Sequence, residues 1–79
     1  MRLEAKKFMK LHYYQETDSL YIELRDKASS ESREISDGVV VDFDAKGNII
    51  GIDVDHASRK LDLTNLETIE LPIKRIKIA

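Results

Sequence analysis

The sequence predicts a β-rich α+β domain: a small antiparallel, hairpin-connected sheet of four to five strands, one short α-helix, and assembly as a dimer. Three observations lead there. Val39-Val40-Val41-Asp42-Phe43 and Ile49-Ile50-Gly51-Ile52-Asp53-Val54 are β-branched runs around a polar turn, with Gly47 where a three-residue hairpin loop needs left-handed backbone. Ser19-Leu20-Tyr21-Ile22-Glu23-Leu24-Arg25 alternates with period two behind the turn-forming Gln15-Glu16-Thr17-Asp18. The chain has 79 residues and no cysteine, so its core is near the lower limit of size and no disulfide supports it. Packing against a second subunit is a common remedy for small sheets.

In chain order, Phe8-Met9-Lys10-Leu11-His12-Tyr13-Tyr14 has strand composition and forms a first hairpin with the 19–25 run, Leu11 and Tyr13 joining Leu20, Ile22 and Leu24 on the buried side. Lys27 to Glu31 reads as a loop, and Ser32-Arg33-Glu34-Ile35 as a short strand stopped by a turn with Gly38. In the second hairpin, a loop of Ala45, Lys46 and Gly47 sets Asp44 opposite Asn48, Phe43 opposite Ile49 and Val41 opposite Gly51. One face then carries Val39, Val41, Phe43 and Ile49, and the other Val40, Ile50, Ile52 and Val54. Neither is polar, so both faces are expected to be covered, one of them by a partner subunit. Asp55 to Leu61 reads as a helix around residues 56–61, with Asp55 as N-cap and Arg59 and Lys60 in its last turn. Over 62–71, Thr64 and Glu67 match a capping box, while Thr68, Ile69 and the Leu71-Pro72 pair favour extended chain; a strand is the favoured reading. Lys74 to Ile78 fits an edge strand with Ile76 and Ile78 turned inward.

The formal charge of −2 hides a segregation: residues 1–10 and 72–79 each carry +3, and residues 11–71 carry −8. An acidic body disfavours a nucleic-acid partner, which requires a positive field. No apolar run reaches the roughly 18 residues of a membrane span, and the opening residues lack the apolar block of a signal peptide. A soluble cytoplasmic protein is expected.

His12-Tyr13-Tyr14 through Leu20-Tyr21-Ile22-Glu23-Leu24 resembles the opening of a family of small prokaryotic proteins, the domain of unknown function 2283. The resemblance runs on through Ser32 to Asp44, Gly47 to Val54, and Ala57-Ser58-Arg59-Lys60-Leu61. It divides the chain into a variable basic segment (1–10), a core domain (11–61) and a C-terminal extension (62–79) that supplies the edge or an exchanged strand. The resemblance implies a small sheet plus a helix and no agreed catalytic residue. It also implies membership of compact two-gene modules, with an antitoxin-like or regulatory role toward a protein encoded nearby.

Candidate sites are few. Tyr13, Tyr14 and Tyr21 offer an aromatic interface patch, joined as interface candidates by Val40, Ile50, Ile52, Val54, Ile76 and Ile78. Asp53, Asp55 and His56 come nearest to a metal motif, although an exposed strand end followed by an N-cap explains the same residues. Asp42 and Asp44 resemble paired carboxylates, and His12 could titrate, but acids and histidines on a strand ordinarily meet water or a surface partner. No motif ties Ser19, Ser58 or Thr64 to a base, and the glycines form no phosphate loop, so no catalytic residue and no cofactor is assigned. Non-catalytic protein–protein interaction is therefore the leading expectation, a small-molecule or divalent-metal binding module the second, and an enzyme the third.

Overall fold

Alternating, β-branched segments order themselves into five strands in the computed structural model, which describes residues 9–72. Lys10–Tyr14 (β1) and Ser19–Glu23 (β2) form the first hairpin. Glu31–Ser36 (β3) and Val39–Phe43 (β4) turn through Asp37 and Gly38, with Gly38 at φ 74°. Ile49–Val54 (β5) returns from β4 through the Gly47 loop, where φ is 85°, the Asp44 N–H donates to Asn48 and the Gly47 N–H to Asp44. All neighbours are antiparallel, in the order β1-β2-β5-β4-β3. The strands expected up to residue 54 and both expected hairpins are present.

The expected face assignment is not. Between Asp42 and Phe43 the β4–β5 ladder slips by one residue, so Phe43 still opposes Ile49 but Asp42 opposes Gly51 and Val41 opposes Ile52. Ile50 is the extra residue of a bulge. A slip of one exchanges every side chain between faces. Val39 and Val41 consequently share a face with Ile52 and Val54, with Leu20 and Ile22 of β2, and with Leu11 and Tyr13 of β1. The other face carries His12, Tyr21, Glu23, Asp42, Asp53 and Gly51, with Val40 its one aliphatic member among the paired residues. The sheet is therefore apolar on one side and polar on the other, rather than apolar on both. Of the four residues expected to need an outside cover, Ile50 and Val54 are buried within the subunit, and Val40 and Ile52 are half-buried.

Leu20, Val54 and Ala57 form the core cluster, with Ile22 and Ile52 packed against it. Ala57 belongs to the single helix among the described residues, Ala57–Lys60 (α1), one turn long and shorter than the expected 56–61. Asp55 is not its N-cap. His56 occupies that position with left-handed backbone and makes no side-chain cap bond, and Asp18 takes over the role, as described below. Arg59 and Lys60 do lie in the last turn, as the helix dipole favours. Residues 62–71 form neither the favoured strand nor a helix. Thr64 closes a local turn instead, its N–H and hydroxyl both donating to the Asp62 carboxylate at 3.1 and 2.6 Å while its oxygen accepts from the Asn65 amide, and no helix follows it. The expected edge strand with Ile76 and Ile78, and most of both basic ends, lie outside the described residues. No helix among the described residues is long and apolar enough to cross a membrane.

Candidate functional site

The polar face is built around Tyr21. Gly51, its diagonal neighbour on β5, has no side chain, and the phenol ring lies over it to reach β4. There the Tyr21 hydroxyl donates to Asp42 at 2.9 Å, and Ser32 from β3 donates to the other carboxylate oxygen at 2.5 Å. Burial first, and the neighbouring Asp42 carboxylate second, push the Tyr21 hydroxyl up to about 12, so at neutral pH it is a fixed donor and no nucleophile. His12 Nε2 meets the Glu23 carboxylate at 3.0 Å and its ring stacks 6.5 Å from that of Tyr14. Asp53 is raised above the usual carboxylate range, by burial first and then by Asp55 and Asp42. Among the described residues no serine hydroxyl is hydrogen-bonded to a histidine, and Asp42 is occupied by two donors.

The sequence candidates are dispersed by this geometry. Tyr14 and Tyr21 belong to the polar face and Tyr13 to the apolar one, so the three tyrosines form no single patch. Asp53 and Asp55 do act on each other, but Asp55 accepts from Ser19 Oγ at 3.2 Å and His56 stands apart at the helix entry. Among the described residues no three histidines or acids come together to hold a metal ion. Asp44 is separate from Asp42: it binds the loop N–H groups of Lys46 and Asn48 and is lowered chiefly by the latter.

A second polar cluster joins the first hairpin to the helix. Asp18 takes left-handed backbone (φ 53°), as aspartate tolerates, and its carboxylate accepts the Tyr13 hydroxyl at 2.8 Å, the Ser58 hydroxyl at 2.7 Å and the Ser58 N–H at 3.1 Å. Its carbonyl accepts the Ala57 N–H at 2.8 Å. An acid 40 residues away in the chain thus satisfies the orphan donors of the helix start. Sequence reasoning missed this role, because capping signals are sought within a few residues of the helix. The Ser58 hydroxyl first, then Tyr13, hold Asp18 below its ordinary 3.8. A carboxylate lowered in the folded state adds stability above the unfolded value, and loses it as pH falls through the folded value. The Ser58→Ala variant is accordingly expected to melt lower than the parent at about pH 6 and to converge on it near about pH 2. A thermal-denaturation series showing the same gap at both pH values would contradict the assignment.

The family model described as protein of unknown function (DUF2283) matches residues 10–58. The chain belongs to this family. The DUF2283 match takes in all five strands, the Tyr21–Gly51–Asp42 arrangement and the Asp18–Ser58 tie. No curated protein and no solved structure matches the chain.

What remains is surface. The hollow beside the first hairpin turn, between Tyr13 and Thr17, is shallow and open to solvent. The apolar face of the DUF2283 sheet is covered by α1 only around Leu20 and Val54. Toward the β1 edge no other described element covers it, and Leu11 is 46% and Tyr13 47% exposed. Beyond α1, Leu61, Leu63, Leu66, Ile69 and Leu71 are exposed as well.

Proposed function

We propose that this DUF2283 protein is a non-catalytic protein–protein interaction module of the cytoplasm. It works as a homodimer and as the regulatory, antitoxin-like partner of a protein encoded beside it. The observation that carries this reading is the half-open apolar face: one helical turn cannot shield a five-stranded sheet, and only Leu20, Val41, Ile50, Val54 and Ala57 are buried apolar residues among those described. Contiguous exposed apolar surface on a small protein marks an association site. The occupancy of the polar face supports the non-catalytic half of the reading, since the Tyr21 phenol is bound to Asp42 and the His12 imidazole to Glu23.

Light scattering over a range of micromolar concentrations tests the first half and is expected to give twice the chain mass. Co-expression with the neighbouring gene, followed by affinity purification of this protein, tests the second and is expected to recover that product in stoichiometric amount. A monomer at every concentration, together with no recovered product, would overturn the reading.

A further inference from the structure

The two edges of the sheet differ in character. β3 carries Glu31, Arg33 and Glu34 and breaks its ladder between Glu34 and Ser36. Charges and bulges are the devices by which natural sheets keep an edge from pairing. β1, Lys-Leu-His-Tyr-Tyr, has none of these beyond Lys10: it pairs residue for residue with β2, without a shift and without proline. In an antiparallel ladder every second residue of an edge strand turns its N–H and C=O outward. No described strand lies beyond β1 to receive them.

We infer that β1 pairs antiparallel with β1 of a second copy, about a two-fold axis through His12, joining the two sheets into one. This rests on the homodimer proposed above and specifies its surface. A two-fold axis normal to the sheet places apolar face beside apolar face, so only residues of the same face come to oppose each other. Centring on His12 is the register that engages all five residues of the strand. Leu11 then faces Tyr13 of the second copy, Lys10 faces Tyr14, and His12 faces its own equivalent.

The argument for a second copy, rather than a foreign strand, is the self-complementarity of β1. On its apolar side the two half-exposed residues, Leu11 and Tyr13, are placed symmetrically about His12, one aliphatic and one aromatic. Each finds its complement across the axis, and aromatic–aliphatic cross-strand pairs are among the stabilising ones. On the polar side Lys10 meets a tyrosine, so the formal charges do not oppose each other. The apolar face, open toward β1 in one subunit, becomes continuous across two.

The chain contains no cysteine, so single-cysteine variants report cleanly. Directly opposed residues of an antiparallel pair have Cα atoms roughly 4.5–5.5 Å apart, within disulfide reach. Under mild copper–phenanthroline oxidation, the His12→Cys variant is expected to run mostly as a covalent dimer on a non-reducing gel. Ile35→Cys, 64% exposed on the other edge, is expected to stay mostly uncrosslinked. Independently, Leu11→Lys is expected to raise the dimer dissociation constant in sedimentation equilibrium at least about ten-fold, equivalent to about 1.4 kcal/mol. Ile35→Lys is expected to leave it within about two-fold by the same measure. Circular dichroism establishes that each variant is folded, and should Leu11→Lys unfold, the His12→Cys cross-link decides. A parent protein that dimerises while His12→Cys cross-links no better than Ile35→Cys overturns the β1 pairing and leaves the homodimer standing. A parent protein that is monomeric throughout overturns both.

Discussion

Replacing Leu20 with alanine is expected to lower the free energy of unfolding by about 3 kcal/mol. Leu20 is 8% exposed and lies between Val54 and Ala57, where β2, β5 and α1 meet. Truncation removes the transfer free energy of its side chain, and one helical turn has little freedom to collapse into the space left. For a domain of this size, with total stability on the order of 4–12 kcal/mol, a loss of that kind leaves little in reserve. Urea denaturation at fixed protein concentration measures it, since coupling to a dimer makes the midpoint depend on concentration. Leu66→Ala, at a residue 68% exposed, is the control and should cost under about 0.5 kcal/mol. A Leu20→Ala cost no larger than that of the control would show that the Leu20–Val54–Ala57 cluster is not the core.

The second large effect is expected at Gly51. A Cβ there would lie 1.9 Å from Tyr21 Oη and 2.5 Å from Cζ, so Gly51→Ala must expel the ring from its place. The displaced tyrosine loses its bond to Asp42 and exposes the strands beneath, a combined cost of about 2 kcal/mol. The backbone at Gly51 is not left-handed, so the penalty belongs to the contact and not to the main chain. A double-mutant cycle separates the two: in a Tyr21→Ala background, Gly51→Ala should cost less than about 0.5 kcal/mol. If alanine at position 51 were equally costly with and without the tyrosine, the ring would have no part in the effect. Tyr21 and Gly51 would then have to be regarded as independent.

The contrast between what the chain announces and what it conceals follows from the range of the interactions. Gly38 and Gly47 mark their turns locally, because the left-handed backbone each adopts is a property of that residue and its neighbours. The strands show themselves by alternation for the same reason. The bulge at Ile50 has a weaker mark: Gly51 stands beside it, but a glycine inside a strand accompanies a bulge or a close contact alike, and a regular ladder is equally consistent with the residue types. That single missed slip placed Val40, instead of Val39 and Val41, beside Ile52 and Val54. Asp55 looked like the helix cap because it adjoins the helix, whereas Asp18 reaches the same donors only through the tertiary fold. Thr64 and Glu67 have the spacing of a capping box, but the N–H and hydroxyl of Thr64 turn back to Asp62, two residues before it, in a local turn that starts no helix. In the candidate site, the bond between Tyr21 and Asp42 passes over Gly51 on the intervening strand, an adjacency set by the order β2-β5-β4 and not by sequence spacing.

The bond from the Ser58 hydroxyl to Asp18 also bears on the order in which the molecule assembles. A single turn of helix is too short to nucleate by itself in water. Its start depends on an acid supplied by the first hairpin, and its one core residue, Ala57, needs Leu20 and Val54 already side by side. The strands must therefore pair before the turn can settle, which makes α1 a late arrival on the folding route. Substitutions at Ser58 should accordingly act on the rate of unfolding and spare the rate of folding.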